Sequence, residues 1–343
     1  MKLSIIIPAY NAEKYIDKAI RSVVKQDFHD YELIIVNDGS ADRTRQICER
    51  WQAQKGGIKL INQENSGSSI ARKNGLLAAQ GEYCTFLDAD DWFCTTDAFQ
   101  KLVDRMQDHR LDVLQFSYKK VYKFISKNVV FSEHSESFDE FWRTDCSCLL
   151  GGNISHIAPN VWSKVYRTEL LKKAVELRGV ERLFVADDLC LNLIFFSLPE
   201  VQKIESVPWV CYAYRQFSGG VFKANEGILD DYEIAKRAEF AAMQGHNCPE
   251  AFVKQCHVES AYIVQAACIK ASVYSDVTLE LVKKCYSYQF VKDAVAYLKT
   301  HPEGSWPYLD LFVSEDYDRY LAEVKRSAKH WRTRIKRFVR KFI

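Results

Sequence analysis

Three aspartates stand close together in "GEYCTFLDADDWF", at Asp88, Asp90 and Asp91, directly behind a short apolar run. Carboxylates grouped in this way could hold a divalent cation, act as acid and base, or open a surface turn. Asp88 and Asp90 are two residues apart, and on an extended chain that spacing puts both carboxylates on one face. Oxygen ligands favour Mg2+ or Mn2+, and Mg2+ is commonly held by one or two carboxylates together with substrate phosphates. A second acidic pair, Asp187 and Asp188 in "FVADDLCLN", reads by itself as the start of a helix, where acids complement the dipole.

Other short stretches add candidate ligand contacts. In "PAYN", Pro8, Ala9, Tyr10 and Asn11 close an apolar run. A nucleotide base could lie against the Tyr10 ring, or the stretch is a strand end with Asn11 as helix N-cap. Asp38 in "NDGS" could accept a hydrogen bond from an imide N–H such as that of uracil, or serve as a turn residue before Gly39. "NSGSSIARKNG" joins Gly, Ser and a helix start in a manner that suits an anion, and Arg72 adds a positive charge one turn in. It lacks the GK[ST] ending of a P-loop and does not match GxGxxG, so neither of those phosphate-binding loops is indicated.

The elements that must position these residues follow from periodicity. Strands are predicted at 3–7, 32–36, 58–62, 82–88 and 111–118, with helical stripes between them. Asp97 and Gln100 resemble a capping box at the start of the helix before the fifth strand. Alternation of strands and helices with short connections implies right-handed βαβ units: an α/β, Rossmann-like, mainly parallel sheet flanked by helices. Ligands in such sheets bind outside the carboxyl ends of the strands, where "PAYN", "NDGS" and "DADD" all fall. Residues 121–225 are less regular, and from 226 the pattern turns helical.

The 343 residues suffice for one large domain with an appendage, or for two domains. Hydrophobic residues make up 48% and charged residues 27%, an ordinary globular composition that argues against wholesale disorder. Net charge is +2, but it is unevenly placed: residues 325–343 carry nine Lys or Arg and no acid, leaving 38 basic against 45 acidic residues in the rest. Across 324–342, Val324, Ala328, Trp331, Ile335, Phe338 and Phe342 recur every three or four residues among these charges. That is a basic amphipathic helix, which reads as a tail for an anionic membrane surface or as a helix packed on the body or another subunit. No nucleic-acid-binding motif accompanies it. The eleven cysteines form no CxxC pair and read as reduced thiols of a cytosolic protein. No secretory leader is visible, and no run approaches the roughly 20 apolar residues of a membrane span.

Taken as a set, "SIIIPAYNAEKYIDKAIRSVVKQ", "YELIIVNDGSADRT", "INQENSGSSIARKNGLLAAQGEY" and "FLDADDW" resemble the N-terminal domain of family 2 glycosyltransferases, the GT-A-fold enzymes that use nucleotide-sugar donors. The likeness runs from residue 3 to about 118 nearly without gaps. A weaker likeness to the acceptor half of bacterial non-processive members lies in "NVWSKVYRTELL", "FVADDLCLN" and "CYAYRQFSGGV". The resemblance implies a GT-A-like domain over 1–225, with nucleotide-sugar binding in 1–120 and the acceptor side in 121–225. A helical region over 226–323 and the tail helix over 324–343 would follow.

It further implies that Pro8, Ala9, Tyr10, Asn11, Asp38, Arg72, Asp88 and Ala89 surround a UDP-sugar donor. Asp90, with Asp88, would hold Mg2+ or Mn2+. The family has Glu-Asp where this chain has Asp187-Asp188, so the catalytic base is carried onto Asp188 with Asp187 as its rival. Trp162, Lys164, Tyr214 and Arg215 are acceptor-side candidates, although Trp162 is equally read as core and the alternating aromatics as a plain strand. The implied activity is inverting sugar transfer to a hydroxyl of a glycan or lipid-linked glycan, at the cytoplasmic face of a bacterial inner membrane. No QxxRW motif is present, which argues against a processive synthase. The alternative from another class is a non-catalytic nucleotide-sugar-binding or scaffold protein.

Overall fold

The computed structural model describes residues 1–123, 125–145, 157–178, 187–216, 228–246, 248–274, 278–301 and 309–340. The chain divides into two compact units, Met1–Gly220 with Gly245–Asn247, and Val221–Gln244 with Cys248–Ile343.

The first unit opens with the predicted alternation. Strand β1 (Leu3–Ala9) leads to helix α1 (Ile16–Val24), β2 (Tyr31–Asp38) to α2 (Thr44–Gln54), and β3 (Ile58–Gln63) to α3 (Ser68–Ala78). Then come β4 (Tyr83–Phe86), β5 (Trp92–Phe93), α4 (Ala98–Asp108) and β6 (Val113–Val121). Leu3, Ile5, Ile6 and Ile7 are all buried, because helices cover both faces of the sheet and leave no side for polar alternation. β1 pairs in parallel with β2 and β4, and β2 with β3.

Beyond residue 121 the chain adds β7 (Ser126–Val129), β8 (His134–Ser137), a short helix α5 (Phe138–Glu140) running into a π turn, and β9 (Lys164–Arg167). Helices α6 (Thr168–Arg178) and α7 (Asp187–Phe196) and the long strand β10 (Lys203–Arg215) complete this unit. The sheet order is β3-β2-β1-β4-β9-β6-β10-β5, with β7 on β6 and β8 on β10. β9 enters antiparallel between β4 and β6, and β10 pairs with β6 in parallel. The core sheet is therefore parallel on one side and mixed on the other.

Two local expectations are corrected. Asn11 does not cap α1, which begins at Ile16; it takes a left-handed φ of 48°, which asparagine tolerates. Its Oδ1 accepts from the Ala41 N–H at 2.9 Å, and its own N–H donates to Ser40 Oγ at 3.0 Å, tying two loops at the sheet edge together. Asp97 precedes α4 without a side-chain capping bond, because its carboxylate pairs with Lys101 one turn on.

The second unit is helical: α8 (Ile228–Gly245), α9 (Glu250–Tyr274), α10 (Leu279–Ser287), α11 (Gln289–Thr300), α12 (Leu309–Ser314) and α13 (Tyr317–Arg340). Its core gathers Val264, Tyr286, Phe290, Val291, Leu298 and Phe312. Trp331, Ile335 and Phe338 fall on α13, whereas Phe342 lies outside the described residues. Among the described residues no helix is long and apolar enough to cross a membrane.

Candidate active site

The site is built at the carboxyl ends of β1, β2 and β4. Asp38 ends β2 and is followed by Gly39 at φ 68°, where a Cβ would stand 2.7 Å from the Asn65 nitrogen. Only glycine fits there, so the turn is sharp and brings the loop before α3 across Asp38. The Ser66 and Gly67 N–H groups donate to the Asp38 carboxylate at 2.7 and 2.9 Å, and Gln63 Nε2 donates at 2.8 Å. The anion expected near this glycine-serine helix start is thus one of the chain's own carboxylates. Three donors on two oxygens leave acceptor capacity for one more.

One turn into α3, Arg72 is 9% exposed and gathers three acids. Its Nη2 donates to Asp88 Oδ1 at 2.9 Å; its Nη1 donates to Asp187 Oδ2 at 3.0 Å and Asp188 Oδ1 at 3.1 Å. Close packing of α3 makes this reach possible. A Cβ on Gly75 would lie 2.4 Å from Ile6 Cγ2, so the helix sits against the sheet where no larger residue fits.

The aspartates after β4 are not on an extended strand. β4 ends at Phe86, and the Asp91 N–H donates to the Asp88 carbonyl at 3.0 Å, so 88–91 is a tight turn. The turn, rather than the pleat, brings Asp88 and Asp90 together. Asp91 is 1% exposed and accepts from Tyr212 Oη at 2.8 Å and the Arg215 N–H at 2.7 Å, fixing the turn to β10. Burial, then the charges of Asp88 and Asp90, push its carboxyl up to about 9. Asp90 is pushed up to about 6 by burial and then by Asp88. Its carboxylate forms no salt bridge among the described residues, while its carbonyl accepts from Arg215 Nε at 2.8 Å.

Asp187 and Asp188 open α7 and are not equivalent. Their side chains are 9% and 27% exposed, so Asp188 is the more open to an incoming group. Asp188 Oδ2 accepts from the Val161 N–H at 3.2 Å. Burial raises its carboxyl to about 6 against the opposing pull of Arg72.

The remaining predicted residues separate. Tyr10 is 53% exposed at the end of β1, an open ring face, whereas Ala9 and Ala89 are buried and Pro8 is half-buried. Trp162 is core: its ring stacks on Tyr212 at 4.7 Å and meets Tyr118 edge-on. Tyr214 is half-buried against Trp162. The Arg215 guanidinium lies over Trp92 and Tyr15 at 4.8 and 5.0 Å from the ring centres. Lys164 does not line a surface, because it is 0% exposed and its ammonium is held by two backbone carbonyls.

Sequence reasoning missed the Val161 N–H, for which no local signal existed. Tyr212 gave only an alternating-aromatic hint, yet its hydroxyl accepts from the Asp88 N–H at 3.1 Å and donates to Asp91.

The donor set suits a divalent cation. Asp88, Asp187 and Asp188 share the single guanidinium of Arg72, and Asp90, raised by burial and then by the charge of Asp88, forms no salt bridge among the described residues. Among the described residues there is no ready-made cluster of three or more His, Cys, Asp or Glu ligands. Asp90 and the second oxygen of Asp88 therefore match the sparse pattern in which a hard cation completes its shell with substrate oxygens.

Comparison with known proteins agrees with this architecture. Residues 4–172 match the model of glycosyl transferase family 2, and the chain carries a glycosyltransferase domain of that family. It is 27% identical over 301 residues to the uncharacterized glycosyltransferase EpsJ of Bacillus subtilis (strain 168), covering 85% of this chain and 86% of that protein. Identity is 34% over 241 residues to the poly(ribitol-phosphate) beta-N-acetylglucosaminyltransferase TarS of Staphylococcus aureus (strain Mu50), which spans 69% of this chain but 39% of TarS. A crystal structure of S. aureus TarS 1–349 in complex with UDP superposes with a TM-score of 0.66 at 22% identity, covering 96% of this chain and 92% of that one. The protein is thus a glycosyltransferase with a GT-A-like fold and a helical C-terminal region.

Proposed function

We propose that this protein is an inverting, metal-dependent glycosyltransferase that moves a sugar from a UDP-sugar donor to a hydroxyl of a glycan or lipid-linked glycan. The observation that carries the reading is the convergence of Asp88, Asp187 and Asp188 on Arg72 at the carboxyl edge of the sheet. UDP in the related TarS complex supports the donor class.

In this reading the nucleotide base lies against the open Tyr10 ring, with Pro8, Ala9 and Asn11 shaping the turn beneath it and Asp38 offering its remaining acceptor to the imide. Asp88 and its neighbour Ala89 border the ribose of the donor, and Asp90 faces its diphosphate end through a divalent cation. Mg2+ or Mn2+ held by Asp90 and Asp88 would supply positive charge to the departing diphosphate. Asp188 is the general base. The acceptor hydroxyl attacks the anomeric carbon, its proton passes to Asp188, and the bond to UDP breaks. Arg72 and the Val161 N–H hold the two Asp188 oxygens in place, and Asp187 serves as a buried counterion to Arg72. Arg215 braces the 88–91 turn on the acceptor side, and Tyr214 borders it.

The helical backbone of α13 supports the basic amphipathic reading of the tail. We place the protein in the cytoplasm, peripheral on an anionic membrane surface where lipid-linked acceptors of surface polysaccharide synthesis are found. UDP release from a panel of UDP-sugars, with and without EDTA, tests the reading. Metal-dependent release from one donor is expected; tight UDP binding without turnover of any donor would favour a binding or scaffold protein instead. Flotation with anionic liposomes tests the tail, with residues 1–323 expected to stay unbound.

A further inference from the structure

Lys164 raises a question that the catalytic reading does not answer. It sits on β9 at 0% exposure, and among the described residues its ammonium forms no salt bridge. Burying an ammonium is expensive, and an apolar residue of similar length would fill the space at lower cost. The ammonium is used instead on backbone: Nζ donates to the Ala158 and Asn160 carbonyls at 2.5 and 2.6 Å. The carbonyl between them is also taken, since Asn192 Nδ2 on α7 donates to Pro159 O at 2.6 Å. The same Nδ2 donates to the Asp188 carbonyl at 3.0 Å, and Asn192 Oδ1 accepts from Tyr166 Oη at 2.8 Å. Three successive carbonyls are thus pulled inward by buried side chains from β9 and α7. The Asn160 carbonyl shares its planar peptide group with the Val161 N–H, which donates to Asp188 Oδ2 at 3.2 Å.

We propose that Lys164, with Asn192 and Tyr166, is a positioning group that sets the 158–161 loop so that the Val161 N–H orients and favours the ionised Asp188 carboxylate. This rests on the reading of Asp188 as base. A base must be held within reach of the hydroxyl proton, and a hydrogen bond to its charged form makes that form easier to reach. Without the ammonium the carbonyls of Ala158 and Asn160 are left unpaired in the interior, so the loop turns to find other donors and the Val161 N–H leaves Asp188.

The test uses the full chain with Lys164→Met, Tyr166→Phe and, as reference, Asp188→Asn. UDP affinity is measured by calorimetry, folding by thermal melting, and kcat against pH by UDP release from UDP-glucose or UDP-N-acetylglucosamine, whichever turns over. Lys164→Met is expected to lower kcat by about 10- to 100-fold, short of the roughly 10²–10⁴-fold that removing a general base costs, with UDP affinity kept within about twofold. The acid limb of its kcat profile should move to higher pH. Tyr166→Phe, which removes only the hydroxyl that donates to Asn192, should move both in the same direction by a smaller amount. A folded Lys164→Met protein with wild-type kcat and acid limb overturns the proposal, as does an equal loss of UDP affinity and turnover. If Lys164→Met does not fold, an unchanged Tyr166→Phe profile overturns it. Retained turnover in Asp188→Asn would instead remove the base reading on which the inference stands.

Discussion

Arg72 and Asp188 form a 3.1 Å ion pair across 116 residues of sequence. The pair joins a helix of the first βαβ units to the opening turn of α7, so the donor-side and acceptor-side candidates meet at one guanidinium. That guanidinium also holds Asp88 and Asp187, and its own charge is secured by the three carboxylates around it.

Asp188→Asn keeps the size but removes the charge and one of the two acceptor oxygens that face Arg72 and the Val161 N–H. Turnover should fall by about 10²–10⁴-fold with UDP affinity unchanged in calorimetry. Asp187→Asn should cost much less, because that side chain faces Arg72 and is the more buried.

Arg72→Met leaves three neighbouring carboxylates without their cation. Breaking a buried ion pair by removing one partner costs about 3–5 kcal/mol, so urea denaturation at neutral pH should show a loss of that order. The loss should shrink on acidification, as Asp188, already raised to about 6, takes up a proton.

Activity and stability should respond to pH in opposite directions near this site. Asp188 rises from an ordinary 3.8 to about 6 in the folded protein. In the proposed role as base Asp188 must be ionised, so kcat should climb as pH passes through about 6 and then level off. For stability, a raised carboxyl means that the folded state binds the extra proton between 3.8 and about 6. The contribution is therefore complete below 3.8 and is lost as pH rises through about 6. Asp90 behaves alike, having also risen to about 6. A kcat profile and a set of denaturation curves from pH 4 to 8 check both signs.

Asp90→Asn removes the carboxylate least engaged by protein partners. Mn2+ should tighten UDP binding to the wild type and leave the variant's affinity unchanged, as read by calorimetry with and without EDTA. The variant should melt no lower than the wild type at pH 7 without added metal, since it relieves repulsion from Asp88.

Gly75→Ala tests the support rather than the chemistry. The new methyl would meet Ile6 and Val36 side chains at 2.4 and 3.2 Å. Overpacking of this kind costs about 1–3 kcal/mol. Thermal melting should show the loss, and displacement of α3 should carry Arg72 with it and reduce kcat.

The parallel core was legible because its strands are buried on both faces, and a continuous apolar run such as "LSIII" has few other solutions. The same logic put Asp38 at a strand end, but it ran the fourth strand on through Asp88 and aligned Asp88 with Asp90 by the pleat, where the chain has already turned; motif likeness carried the proposed base to the region of Asp187 and Asp188. Partners were not legible. Periodicity reports which face of an element is apolar, not which element covers it, so the antiparallel entry of β9 between β4 and β6 left no trace in local pattern. Nor could spacing reveal that Asp38 spends its charge on the Ser66 and Gly67 amides, or that Lys164 turns inward to backbone carbonyls. Those outcomes depend on which groups folding leaves without water, and a buried donor or acceptor takes whatever partner the tertiary packing brings within reach. Residue types along the chain decided what chemistry was available, and packing of α3 and α7 at one sheet edge decided that Arg72 and Asp188 would share it.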